Sequence, residues 1–268
     1  EARWAQETVA LLRRNGFNNL GAWSNTELLA GVPDRLPYTT TLSLMSSFGR
    51  KLGVTYQKPG HTGYPNDCMP VFHPEFESFC IEYAQERLAA GKDDPYLLGH
   101  FSDNEMPLRP TALDRYMDLP AADPGHQAAE QWIERHQVMK SEEGYADDDR
   151  DAFLGYLLDT YYGTVSKAMR AADPNHMYLG SRLHGSDKRR QVVLRACGRY
   201  ADVISVNWYG SWTPDEAWMD DWLAWSGKPF LVTEWYAKGM DSGMTNVSGA
   251  GWTVKTQEDR GWFYQNFT

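Results

Sequence analysis

Two hydrophobic periods alternate along the chain. Glu1 opens directly into an amphipathic helix with Trp4, Val9, Leu11 and Leu12 at its apolar positions. A start inside a helix is expected of a chain with further sequence upstream. Asn18 to Trp23 reads as a short strand, and the β-branched run TTTLSLMSS at 39–47 as a second. A helix follows from about Pro74, where proline suits a first turn, to Ala90. YLLGHFSD at 96–103 reads as a strand, and 151–172 as a long helix stopped by Asp173-Pro174. Then come strand HMYLGSRL (176–183), helix 187–199, strand ADVISVNWY (201–209), helix 214–225, strand PFLVTEW (229–235) and a final helix at 256–267. Residues 106–150 read as one long irregular segment rich in proline, of the kind that walls a cleft.

Strand followed by helix, repeated along most of the chain, predicts parallel pairing with right-handed crossovers. No Gly-rich turn follows the first strand, as a doubly wound nucleotide-binding sheet would require. The expectation is therefore an α/β fold of the (β/α)8 TIM-barrel class, with residues 1–268 as a single catalytic domain. In that class the chemistry gathers at the C-terminal ends of the strands. The polar residues at those ends are Asn104-Glu105, Arg182, His184, Asn207-Tyr209 and Glu234, with Trp23 and Trp235 beside them.

Charge and composition narrow the functions. The chain carries 26 Lys and Arg against 36 Asp and Glu, a net charge of −10. Nucleic acid is not an expected partner, because phosphate binding needs clustered cations. Nor is a membrane, since no apolar run reaches the roughly 20 residues of a span. Cys68, Cys80 and Cys197 are odd in number and lack CxxC spacing, so neither a disulfide framework nor a cysteine zinc site is expected. His61 and His73 flank a Pro- and Cys-containing loop, but their spacing matches no standard metal pattern. His184, followed by Gly185, reads as a substrate contact or a satisfied loop histidine. No metal and no cofactor are expected. Aromatic residues form 13% of the chain, enough to serve both a core and faces that stack on sugar rings.

Two glutamates at the ends of different strands carry the main chemical signal. A carboxylate at such a position loses hydration and is costly unless paired or used. Two of them facing one cavity suit a retaining glycosidase, in which one carboxyl protonates the leaving oxygen and the other attacks the anomeric carbon. Asn104, beside Glu105, can donate to a sugar 2-hydroxyl. The Tyr209 phenol can hold the Glu234 carboxylate in one rotamer, and a cation such as Arg182 can keep it ionised. Apolar or like-charge surroundings would keep Glu105 protonated. Asp103 reads as a hydrogen-bond partner behind the pair. The Gly-rich stretch GMDSGMTNVSGAG (239–251) either hugs a substrate or forms a mobile turn.

A strand-end Asn-Glu with a second strand-end Glu three strands later resembles glycoside hydrolase clan A. More narrowly, GFNNLGAWSN, FSDNEMP and VTEWYAKGMDSG resemble the agarase-type enzymes of glycoside hydrolase family 50. The resemblance implies that Glu105 ends strand four as acid/base and Glu234 ends strand seven as nucleophile. The visible strands would then be two to seven of a truncated barrel. It also implies hydrolysis of β-1,4 galactosidic bonds in an agar-type polysaccharide or oligosaccharide, with Asn104, Trp23, Arg182, His184, Asn207, Tyr209 and Trp235 binding substrate. A secreted or periplasmic parent is expected, any signal peptide lying upstream of Glu1. Two alternatives stay open: a clan A enzyme on another β-glycan, and a non-catalytic carbohydrate-binding barrel.

Overall fold

The computed structural model describes residues 1–268. In chain order it contains helices α1 (Ala2–Arg14) and α2 (Thr26–Leu29), strand β1 (Tyr38–Thr41), helix α3 (Leu44–Lys51) and the hairpin β2 (Tyr56–Lys58) and β3 (His61–Gly63). Next come α4 (Phe76–Leu88), β4 (Leu97–Phe101), α5 (Ala112–Met117), α6 (Pro124–His136) and α7 (Asp147–Ala172). The C-terminal part holds β5 (Met177–Tyr178), α8 (Gln191–Tyr200), β6 (Ile204–Asn207), α9 (Glu216–Ser226), β7 (Phe230–Glu234), β8 (Ala237–Gly239), β9 (Trp252–Val254) and α10 (Gln257–Phe267).

The expected (β/α)8 TIM barrel, truncated to strands 2–7, is not what the chain forms. Ten α-helices dominate, and the nine strands fall into four separate small sheets, none of them closed. β1, β4 and β5 pair in parallel, as do β6 with β7 and β8 with β9, while β2 and β3 form an antiparallel hairpin. The sequence-predicted strands are much shorter than their hydrophobic runs. Asn18–Trp23 reduces to one parallel bridge between Leu20 and Tyr38, and the run at 176–183 pairs with β4 only through Met177 and Tyr178.

Local backbone geometry explains the shortening. Ser43 adopts left-handed dihedrals, so TTTLSLMSS leaves the strand after Thr41 and turns into α3. Gly180 and Arg182 both have positive φ, which breaks the ladder beyond Tyr178. A single bridge from Leu183 to Val206 is what remains between that segment and β6. A Cβ at Gly180 would lie 3.3 Å from Cys197 Sγ and 3.4 Å from Ser205 Oγ, so both the conformation and the space there suit glycine. The segment 106–150, expected to be irregular, contains α5 and α6; Asp123 caps α6 by accepting the Gly125 N–H, and Pro124 occupies its first position.

The core gathers around α7. Phe153, Leu154, Leu157, Leu158, Tyr161, Tyr162, Val165, Ala168 and Met169 recur at three- and four-residue intervals and are all buried. Asp147, Asp148 and Asp149 occupy its first turn, where negative charge complements the helix dipole. From this helix the Tyr161 hydroxyl reaches the buried Asp103, donating at 2.6 Å. Asp103 also accepts the Met45 N–H at 2.9 Å, which satisfies an otherwise orphaned donor at the start of α3. Burial pushes the Asp103 carboxyl up to about 7 against those donors.

A second anchor lies under β6 and β7. Trp222 is fully buried, donates its indole N–H to the Lys188 carbonyl at 2.6 Å, and meets Trp208 and Phe230 edge-on. Truncating it removes a large apolar surface and strands that carbonyl. Trp222→Ala should cost about 3–5 kcal/mol, read from the urea midpoint at unchanged m-value. A loss below about 1 kcal/mol, the scale of an ordinary surface change, would contradict this packing.

Candidate active site

Parallel pairing sends the C-terminal ends of successive strands to one side, and there the polar residues meet. A cleft of about 760 Å³ is lined by Trp23, His61, Asn104, Glu105, Tyr209, Glu234, Trp235 and Tyr236, among others. Glu234 is the last residue of β7, Asn207 the last of β6, and Glu105 lies four residues beyond β4. Single backbone hydrogen bonds continue the register past the strands. Glu105 N–H donates to the Arg182 carbonyl at 3.3 Å, Asn207 N–H to that of Leu183 at 2.8 Å, and Trp208 N–H to that of Glu234 at 2.7 Å.

The Glu234 carboxylate is gripped by three donors. The Trp23 indole N–H donates to Oε1 at 2.6 Å, the Arg182 guanidinium to the same oxygen at 2.5 Å, and the Tyr209 hydroxyl to Oε2 at 2.7 Å. Burial alone would push this carboxyl up. The hydrogen bonds from Tyr209 and Trp23 and the Arg182 charge outweigh burial and hold it below its ordinary value. Burial and the Glu234 charge together raise the Tyr209 phenol well above its own usual range, so it stays a donor.

Arg182 itself is 0% exposed. Its guanidinium lies 4.9 Å from the Trp23 ring centroid and 5.5 Å from that of Phe101, within cation–π range of both. Burial lowers its pKa, and the Glu234 charge opposes that shift; an arginine remains charged throughout.

Glu105 has different, polar company. Asn207 Nδ2 donates to its Oε1 at 2.7 Å and to Asn104 Oδ1 at 3.3 Å. The Thr233 hydroxyl donates to Asn207 Oδ1 at 2.7 Å, fixing which way that amide faces. His61 Nδ1 lies 3.1 Å from Glu105 Oε2. His184 stacks at a tilt on His61, with ring centroids 5.3 Å apart, and burial lowers its pKa. Behind it, Lys188 donates to the Asn207 carbonyl at 2.8 Å, and its ammonium is pulled down to about 8 by burial.

Three of the eight non-glycine residues with left-handed φ are Trp23, Glu105 and Arg182. Such conformations cost roughly 1–3 kcal/mol each and persist where surrounding contacts over-determine them. Here those contacts are the ones just described.

The structure thus brings Trp23, Asn104, Glu105, Arg182, Asn207, Tyr209 and Glu234 into one connected network. Trp235 also lines the cleft, but its ring stacks on Phe267 of α10 at 4.6 Å, so much of it serves packing. Asp103, read as a hydrogen-bond partner behind the pair, accepts from the Met45 N–H of α3 and the Tyr161 hydroxyl of α7. Sequence reasoning missed His61 as a neighbour of Glu105, as well as Thr233 and Tyr236. Only the two-residue turn between β2 and β3 hints at His61's position, because a hairpin projects its first returning residue inward or outward according to register. The Gly-rich stretch contributes Ser248, Gly249 and Ala250 to the cleft wall.

No family model matches the chain. It is 23% identical over 310 residues to β-agarase B of Vibrio sp. strain JT0107, covering all of this chain and 30% of that protein. It is 26% identical over 284 residues to β-agarase A of the same strain, covering 90% of this chain and 28% of that one. The chain therefore spans under a third of the length of either agarase. Among solved structures it is similar to BpGH50, with 29% identity and a TM-score of 0.85 over 98% of this chain and 60% of that one. Sequence and structure agree that the chain is a homologue of the family 50 type β-agarases of glycoside hydrolase clan A.

Proposed function

We propose that the chain carries the catalytic site of a retaining β-glycosidase that hydrolyses β-1,4 galactosidic bonds of an agar-type polysaccharide or oligosaccharide. The observation that carries this reading is the asymmetry of two carboxylates lining one cleft. Glu234 is locked by Trp23, Arg182 and Tyr209 and held ionised. Glu105 keeps one oxygen tied to Asn207 and turns the other toward His61. A locked, ionised carboxylate suits a nucleophile, because attack needs one rotamer and a lone pair. A carboxyl with one oxygen less constrained suits proton transfer.

In this reading Glu234 attacks the anomeric carbon as Glu105 protonates the departing glycosidic oxygen. Glu105 then takes a proton from the water that releases the sugar from Glu234, so that two inversions give net retention. Asn104 has its carbonyl oxygen engaged by Asn207, which leaves its N–H groups to donate to a sugar hydroxyl. Trp23 is 64% exposed and offers a flat face to the sugar ring while its N–H orients the nucleophile. The galactan substrate is inferred from the homology to the two Vibrio agarases, whose names state that activity.

Separate mutants test the division of labour. Glu234→Ala should abolish turnover of agar oligosaccharides and aryl galactosides alike. Glu105→Ala should lose about 10²–10⁴-fold on oligosaccharides and much less on aryl substrates with activated leaving groups. Azide should rescue Glu105→Ala with retained configuration and Glu234→Ala with inverted configuration, identified by NMR of the glycosyl azide. The opposite stereochemical pattern would swap the roles, and full activity in both mutants would refute the mechanism. Because Glu234→Ala also strips Arg182 of its partner, its folding is checked by circular dichroism.

The pH profile gives an independent check. Glu234 must be ionised to attack, and its pKa is held low in part by the Tyr209 hydroxyl. Tyr209→Phe removes that donor, so the pKa rises and the acidic limb of kcat/KM should move to higher pH. An unmoved limb, or one moved to lower pH, would contradict the role given to Tyr209.

A further inference from the structure

Beside the Glu234 cage, two cleft-lining residues and a neighbouring histidine form a second constellation that the hydrolytic mechanism leaves partly unused. His61 opens β3, Glu105 follows β4, and His184 follows the left-handed turn at Arg182. Each offers one ligand atom, and the three atoms lie within 4.8 Å of one another. The Nδ1 atoms of both histidines are buried and lack hydrogen-bond partners. His61 Nδ1 stands 3.1 Å from Glu105 Oε2 without hydrogen-bond alignment, and His184 Nδ1 is 3.7 Å from Asp187, beyond hydrogen-bond reach. Two unpartnered buried nitrogens beside a carboxylate oxygen are expensive unless something bridges them.

We propose that His61, Glu105 and His184 form a binding site for a divalent transition-metal ion of the zinc type. Two imidazoles and one carboxylate are a donor set for such an ion, and a water molecule would complete four-coordination. With metal–ligand bonds of about 2.0–2.2 Å, neighbouring donors of a tetrahedral site stand about 3.4 Å apart. The 3.1 Å between His61 and Glu105 is close to that spacing already, and with all three donor atoms within 4.8 Å of one another the remaining separations need to close by about 1.4 Å at most.

The other histidine cluster shows what a satisfied arrangement looks like. In His100–Asp173–His176 every ring nitrogen has a partner: Thr40 and Asp173 for His100, Asp173 and the Asp94 carbonyl for His176. That cluster ties β1, β4 and β5 together and leaves no donor free for an ion.

Metal bound to Oε2 would occupy the oxygen through which Glu105 transfers its proton. The ion would thus inhibit hydrolysis, a consequence that rests on the acid/base role proposed above; the binding itself does not. Zn²⁺ titrated calorimetrically into the substrate-free chain should bind at one equivalent in the micromolar range or tighter. His61→Ala, His184→Ala and Glu105→Gln should each weaken it about tenfold or more, whereas His73→Ala should leave it unchanged. Should any ligand variant misfold, Co²⁺ in the unaltered chain should still give the intense visible absorption of four-coordinate cobalt. Binding no tighter than millimolar, wild-type affinity in the ligand variants, weakening by His73→Ala, or only the faint spectrum of octahedral cobalt would each overturn the site. A chain that binds Zn²⁺ but cleaves no galactoside keeps the metal site and loses the hydrolase reading; one that cleaves galactosides without binding Zn²⁺ does the reverse.

Discussion

A guanidinium with no exposed surface must be paired with an anion, and Arg182 finds its anion in Glu234. Taking the arginine charge out of water is costly, and leaving such a buried charge without its partner typically costs roughly 3–5 kcal/mol; Glu234 itself keeps part of its carboxylate open to the cleft. Much of the site's geometry follows from meeting that demand. Arg182 sits in a left-handed backbone conformation, and its guanidinium lies within cation–π range of the Trp23 and Phe101 rings. Trp23 and Tyr209 then supply the remaining hydrogen bonds to the carboxylate. The price is a strained backbone at three positions, and the return is a carboxylate that stays ionised and fixed in one orientation.

The same network links distant parts of the chain. Trp23 and Glu234 are separated by more than two hundred residues, and Asn207 joins Glu105 to the Thr233 side chain next to Glu234. The two carboxylates therefore share one scaffold through Asn207 and Thr233. Behind that scaffold, Asp103 ties the start of α3 to Tyr161 of α7, the helix around which the core is packed.

Helices α1, α4, α7, α8, α9 and α10 were legible in the sequence, whereas α2, α3, α5 and α6 were not. The final helix at 256–267 matches α10, capped by Thr256, and the long helix before Asp173-Pro174 matches α7, which begins at Asp147. The strand directions were legible too, since alternation of strand and helix gave parallel pairs. Strand extent and closure were not. Apolar β-branched runs set which residues are buried, but Ser43, Gly180 and Arg182 adopt left-handed dihedrals that end ladders early, and nothing in hydrophobic period announces a positive φ at serine or arginine. The result is a helical chain with separate small sheets where a barrel was expected. The strand-end residues still lie together because their grouping depends on parallel direction, and Tyr209 and Arg182 bond to Glu234. His61 was not legible as a neighbour of Glu105, because that contact depends on how a hairpin folds over the cleft.

The central claim is that Glu234, the carboxylate caged by Arg182, Trp23 and Tyr209, forms a covalent bond to the sugar. An agar-derived oligosaccharide ending in 2-deoxy-2-fluorogalactose with an activated leaving group tests it directly, because fluorine slows release of the glycosyl-enzyme more than its formation when the leaving group is good. Mass spectrometry of the intact chain should show one glycosyl adduct, and peptide mapping should place it on Glu234. An adduct on Glu105, or turnover of the natural oligosaccharide with no adduct under any condition, would contradict the account.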